Sequence, residues 1–299
     1  MISWEVFVDE VRRRQLAPKH IEVSQWNSWY LVSAFDRKSS EYISESVSMG
    51  ISRSGDLAFR KAFTEFNERR AIKESKDSNS KVTERTDGFA AYPFLDADSK
   101  MKARHHALNE AAERFLWATW WDNPETLFYR NRFKFEDEMS PFIDLAKQEF
   151  RLSSLEAFEI EDCESKFCLL ILIGKNNLGG YFSGGACEQL PLNSKSAHSI
   201  FERAFGELLR HLLAFEKMKS CNEDLLGFYE KRLFGFGSGK FSAVVEKRLS
   251  LIGAKSVNLP RLLIDAEIDH NNSDSLVLYR CLFQEQPVFM GGAIDRFCI

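Results

Sequence analysis

GISRSGDLAFRKAFTEFNER, residues 50–69, is answered further along by TDGFAAYPFLDADSKMKARHHALNEAAERFLWATWW, residues 86–121. Each stretch runs from a glycine-bearing, β-prone segment into an amphipathic helix. Each helix carries Glu-x-x-Glu-Arg: Glu65, Glu68 and Arg69 in the first, Glu110, Glu113 and Arg114 in the second. Leu57, Ala58, Ala62, Phe63 and Phe66 recur at three- and four-residue steps behind Asp56 as N-cap, so a helix is expected over residues 56–73. The second helix is expected over 98–121, stopped by Asp122-Asn123-Pro124. Residues three and four apart share a helix face, so each helix presents two carboxylates and a guanidinium as one patch. Two such helices facing each other gather four carboxylates, which repel unless a cation sits among them. Hard oxygen ligands suit Mg²⁺, which completes its shell with water and substrate phosphates. The arginines match phosphate oxygens. This is the outline of a nucleotide site in a chain with no GxxxxGK[ST] run. A single such helix is ordinarily a solvated face with ion pairs; two copies with matching apolar flanks bring the two readings level.

Around this pair, residues 26–35 and 45–53 read as strands, 74–85 as a polar loop and 86–94 as a strand or turn. Residues 139–150 read as helix. Residues 167–178 form a buried strand that turns at Gly179-Gly180 into a partner over 181–187. A long helix is expected over 194–219, shorter ones over 222–234 and 243–251, and a strand over 275–283. Residues 4–14 have weak helical periodicity. The helix over 194–219 carries a looser third copy of the motif, with Glu207 and Arg210. Strands alternating with such helices predict an α+β fold of sheet and helix layers, read as one domain over 1–299, with the paired motifs in 45–121 and the third strand–helix motif in 165–219.

Composition narrows the function. The 299 residues are 44% hydrophobic and include 26 Phe and 6 Trp, enough for a sizeable core. A net charge of −4 argues against a nucleic-acid partner, which calls for a basic face. Six cysteines without a CxxC pair argue against a zinc ribbon and for reduced, buried thiols. The longest apolar run, 167–174, is a strand and too short to span a bilayer. No basic segment followed by an apolar one opens the chain. A cytoplasmic protein with no membrane partner is expected.

The three motif-bearing segments, in this order, resemble the signatures of the YcaO family. Residues 50–69 resemble its glycine-bearing strand followed by SAxxExxER. Residues 86–121 resemble SNGxAAG followed by EAxxxALxExxER. Residues 180–210 resemble its later strand and RAxxExxQ helix. Together they cover about a third of the chain. The resemblance implies a sheet-and-helix fold with an ATP site between the two ExxER helices. It implies ATP and Mg²⁺ as cofactors, with Glu65, Glu68, Glu110 and Glu113 as metal ligands, and Lys61, Arg69, Arg114, Glu207 and Arg210 as cofactor-binding residues. It further implies phosphorylation of a backbone amide oxygen in a ribosomally made precursor peptide, yielding an azoline. Thioamide formation with a TfuA-like sulfur-delivery partner is the alternative, and a non-catalytic scaffold with a decayed ATP site is a third. A leader-binding partner protein and a homodimer are expected companions. The chain departs from the family pattern where Lys61 replaces a serine, Thr86-Asp87 replaces Ser-Asn, Lys102 replaces a glutamate and Arg210 replaces a glutamine. It also ends Asp295-Arg296-Phe297-Cys298-Ile299, without a Pro-rich tail. No catalytic base is evident: His105 and His106, beside the second motif, read more readily as a surface pair. Trp117, Trp120 and Trp121 read as core, the glycine pairs 179–180 and 184–185 as turns, and Arg12, Arg13 and Arg14 as a solvated helix face.

Overall fold

The computed structural model describes residues 17–36, 48–74, 87–93, 98–133, 138–164, 166–192, 194–251, 253–269, 276–289 and 292–297. The helix expected over 4–14, the run Arg12 to Arg14, Thr86 and Cys298 lie outside these residues. So does the polar loop apart from Glu74, which closes a helix. In chain order the elements begin with strands β1 (His20–Trp26), β2 (Trp29–Phe35) and β3 (Ser48–Ser52), helix α1 (Gly55–Glu74), β4 (Gly88–Pro93) and α2 (Ser99–Asp122). β5 (Tyr129–Arg130), α3 (Ser140–Glu149), β6 (Leu152–Glu161), β7 (Phe167–Asn176), β8 (Tyr181–Gln189) and α4 (Ser194–Met218) follow. A 3₁₀ turn (Glu223–Leu225) then precedes α5 (Phe228–Gly237), α6 (Ser242–Ser250), β9 (Leu262–Ile268) and β10 (Leu276–Phe283).

The chain divides into two compact units, one of Met1–Ser40, Ser44–Ala111 and Pro260–Gln286, the other of Glu41–Ile43, Ala112–Leu259 and Pro287–Ile299. The first holds two antiparallel three-stranded sheets, ordered β1-β2-β3 and β4-β10-β9. Residues 26–35, expected as one strand, are instead the corner and second arm of a hairpin. Asn27 takes φ 50° at its turn, a left-handed conformation that asparagine tolerates. α1 lays Ala58, Ala62 and Phe66 against Val32 and Ala34 of β2, the three- and four-residue apolar repeat finding its sheet. β9 pairs only with β10, and its side chains are exposed or half-buried. Its sequence alternates at Ile264, Ala266 and Ile268, a signal that went unread.

The second unit is built on a four-stranded antiparallel sheet, β5-β6-β7-β8. Neighbouring residues of β8 face opposite ways, and both ways are covered. A side chain at Gly185 would strike the Trp117 ring of α2 at 2.1 Å, and one at Gly184 would strike the backbone of α4. β7, with a helix on each side, is buried along nearly all its length, which is why 167–174 is apolar without alternation. Gly184 and Gly185 therefore lie within β8, not in a turn. Trp117, Trp120 and Phe158 are almost fully buried, Trp120 and Phe158 with ring centroids 6.5 Å apart. Burial of a side chain like Phe158 contributes about 1.5–3 kcal/mol. The C-terminal end of α2 is capped by Arg248, whose Nε and Nη2 donate to Trp120 O at 2.7 and 2.5 Å. Desolvation brings this guanidinium down to about 10, well above neutral pH, so it meets the negative helix terminus as a cation. The helix expected over 222–234 opens later, because Asn222 caps the 3₁₀ turn and Gly227 starts α5 afresh.

Candidate functional site

Three strand–helix pairs share one packing device. A side chain at Gly50 would fall 1.8 Å from Ala58 O and 2.6 Å from Ala62 N. At Gly88 the neighbours are Ala107 O at 1.9 Å and Ala111 N at 2.5 Å, and at Gly184 they are Ala204 O and Leu208 N, both at 2.2 Å. In each case a strand glycine rests on two helix residues four apart, so backbone meets backbone. Such close approach brings long side chains one turn on into reach of the strand. Three residues past the helix carbonyl, Lys61 Nζ donates to Ile51 O at 3.1 Å and Phe89 N donates to Glu110 Oε2 at 2.7 Å; both strand residues follow the glycine. Seven residues past it, Met49 N donates to Glu65 Oε2 at 2.8 Å, and His211 Nδ1 donates to Ser183 O at 2.7 Å; both strand residues precede the glycine. By packing, then, the counterparts are Lys61, Glu110 and Glu207, and the Glu-x-x-Glu-Arg of α1 stands one turn later than that of α2. Sequence spacing pairs Glu65 with Glu110; packing pairs Glu65 with Arg114.

The first unit gathers three of the carboxylates on open strand edges. β4 pairs with β10 along one edge, and the amides of Phe89 and Ala91 point out of the other, about 7 Å apart. Glu110 takes the first and Glu68 the second, the latter at 3.2 Å. Glu65 takes the Met49 amide on the open edge of β3 and is also paired with Arg69 Nη2 at 2.5 Å. Burial pushes the Glu68 carboxyl well above the usual carboxylate range; Glu110 and then Glu65 push it further, and the Ala91 amide and Arg69 oppose this without cancelling it. Excess negative charge among half-buried oxygen donors fits a hard divalent cation. The ligand oxygens of the three acids are not all within 4.8 Å of one another, so a cation held by them draws the rest of its shell from water or a ligand.

Glu113 and Arg114 belong to the second unit and are half-buried. There Glu113 helps raise the buried Cys187 thiol, behind desolvation as the first cause. Glu207 and Arg210, also in the second unit, pair with each other at 3.0 Å. His106 is exposed and stacked on Tyr92, with centroids 6.2 Å apart, and Lys102 lies over the same Tyr92 ring. His105 is within 3.2 Å of the Asn109 amide. The strand amides that seat the acids went unread, although Gly50 and Gly88 beside them were the signal. Also unread was the buried pair of Asp87 with Arg280, whose Nε donates at 2.6 Å. It holds the start of β4 to β10.

No family model matches the sequence, and no curated protein matches it. Solved structures do match the fold. A structure of YcaO from Methanopyrus kandleri bound with AMPPCP and Mg²⁺ superposes with a TM-score of 0.54 at 13% identity, covering 94% of this chain and 90% of that one. The E. coli microcin synthetase McbBCD complex with pro-MccB17 bound gives a TM-score of 0.58 at 12% identity, covering 88% and 87%. The architecture is α+β, with antiparallel sheets and packed helices. More particularly, it is the YcaO fold.

Proposed function

We propose that this protein binds Mg·ATP at Glu65, Glu68 and Glu110 and uses it to activate a backbone amide of a ribosomally made peptide. The observation that carries this reading is Glu68, a carboxyl seated on a strand amide and forced upward by burial and by two neighbouring acids. Such a cluster stores affinity for a cation. The match to a nucleotide-bound YcaO and to a synthetase complex holding a pro-peptide supports the choice of ligand and substrate. Mg²⁺ would neutralise charge on the phosphates when bound. Glu65, Glu68 and Glu110 hold it, and Lys61 and Arg69 stand on the same helix as cations for phosphate oxygens. By resemblance Glu113 is a further metal ligand, and Arg114, Glu207 and Arg210 are further nucleotide contacts; these four rest on the motif alone.

An amide oxygen is a poor leaving group, and its phosphate ester is a good one. Attack of a neighbouring Cys, Ser or Thr side chain on the amide carbon, transfer of the γ-phosphoryl group to the oxygen, and loss of phosphate give an azoline. Positioning and charge stabilisation supply most of the rate enhancement in such a transfer. Among the described residues no helix is long and apolar enough to cross a membrane, in keeping with a peptide substrate met in solution.

The test is mass spectrometry of a short peptide encoded beside this gene, incubated with the protein, its neighbouring gene products, Mg²⁺ and ATP. Loss of water supports azoline formation. Exchange of oxygen for sulfur moves the outcome to the thioamide and a TfuA-like partner. An unchanged peptide together with absent nucleotide binding makes the protein a scaffold.

A further inference from the structure

The sheet of the second unit carries a different cluster. Glu159 and Glu161 are two apart on β6 and share a face, and Cys168 of β7 stands opposite Glu161 in the antiparallel register. One ligand atom from each of the three lies within 4.8 Å of the other two. Glu159 is only 6% exposed, and its Oε1 is buried and accepts no hydrogen bond. The other oxygen takes Nε and Nη2 of Arg132 at 3.3 and 3.0 Å, and Arg132 also pairs with Glu161. Arg132 has a side chain 43% exposed and lies over the Tyr129 ring, 3.9 Å from its centroid. Two carboxylates against one guanidinium leave a negative charge in excess, and a buried anionic oxygen without a donor calls for an occupant. Burial first, then Glu159 and Glu161, push the Cys168 thiol up to about 12, and Arg132 opposes this without cancelling it.

We propose that Glu159, Glu161 and Cys168 form a binding site for a borderline-soft divalent cation of the Zn²⁺ class, with Arg132 as the group it displaces. On binding, the Cys168 S–H bond gives its proton to solvent and a metal–sulfur bond forms. Glu159 and Glu161 each supply an oxygen, water completes the shell, and Arg132 leaves for solvent still protonated. The thiolate selects this class over Mg²⁺, which prefers the all-oxygen set at Glu65, Glu68 and Glu110.

Cd²⁺ titration of the whole protein in excess Mg²⁺, read by the ultraviolet thiolate-to-cadmium band, tests this. A saturable one-site band is expected in the wild type and in Cys163→Ser, lost in Cys168→Ser and displaced by Zn²⁺. Glu161→Gln, at a half-buried position, is expected to weaken binding at least about tenfold, which keeps the test open if Cys168→Ser fails to fold. Arg132→Ala is expected to tighten binding about tenfold, because it removes the competing cation; a merely structural salt bridge would leave affinity unchanged. No band in the wild type, a band that survives in Cys168→Ser, or unaltered affinity in Arg132→Ala would overturn the site. The nucleotide cluster contributes no sulfur ligand, so failure there leaves this band unmoved.

Discussion

The β3–α1 and β4–α2 pairs of the first unit and the β8–α4 pair of the second use the same glycine-on-helix contact, yet their charges end differently. In the first unit Glu65, Glu68 and Glu110 are seated on strand amides, and burial, then Glu110 and Glu65, raise the Glu68 carboxyl. In the second, Glu207 is neutralised by Arg210 one turn along, and His211 is neutral, donating to Ser183 O and accepting from the Tyr229 hydroxyl at 3.1 Å. The packing device is thus a scaffold common to both units. What is added to it decides whether the result is a structural joint or a site with charge in reserve.

The device itself can be broken first. Gly50→Ala, Gly88→Ala and Gly184→Ala each press a methyl group to within about 2 Å of a helix backbone. Each is expected to cost more than about 4 kcal/mol in urea unfolding, because neither backbone can yield. Gly55→Ala, whose nearest neighbour would be the Tyr30 ring at 3.5 Å, is expected to change stability by under about 0.5 kcal/mol. If Gly184→Ala alone were tolerated, the equivalence of the three pairs would fail. Next comes Asp87→Ala, which strands Arg280 in a buried position and is expected to cost about 3 kcal/mol.

His211 sharpens the contrast between the units. Burial first, then Arg210, lowers it to about 3, so the folded state keeps it neutral while the unfolded chain protonates below about 6.5. A depressed folded value means stability that is complete above pH 6.5 and lost as pH falls. The loss is expected at about 1.4 kcal/mol per pH unit between pH 6.5 and 4. His211→Gln is expected to flatten that limb of the stability profile; an unchanged slope would show that the charge at this joint is not suppressed. The smallest effect is expected of Glu68→Gln. Removing a charge from a crowded set raises the urea midpoint of metal-free protein, whereas Glu207→Gln, at a partly exposed ion pair, lowers stability by under about 0.5 kcal/mol.

Much of the fold was legible, and the exceptions share a cause. α1, α2 and α4 match their expected bounds within a residue or so, since each keeps an apolar stripe between clear signals: Asp56 before α1, Asn123-Pro124 after α2. β6 went unread because Glu159 and Glu161 occupy the face where a buried strand ordinarily shows apolar residues, their charge offset by Arg132, distant in sequence. β1 and β9 are sheet edges with mostly exposed side chains; their brief alternations, Ile21 and Val23 in one and Ile264, Ala266 and Ile268 in the other, went unread. The motif carboxylates proposed as metal ligands were picked out by residue type and spacing. The one-turn offset between α1 and α2 was not, because it is set by which helix alanines receive Gly50 and Gly88, a contact that leaves no mark in the Glu-x-x-Glu-Arg pattern.

The central claim is that the reserve of charge in the first unit is a site for Mg²⁺ and nucleotide. Calorimetric titration with a non-hydrolysable ATP analogue, with and without Mg²⁺, on wild type, Glu110→Gln and Glu207→Gln tests it most directly. Mg²⁺-dependent binding that Glu110→Gln weakens by at least about a hundredfold and Glu207→Gln leaves within about tenfold is the predicted result. Binding that ignores Mg²⁺, or that survives intact in folded Glu110→Gln, would contradict it.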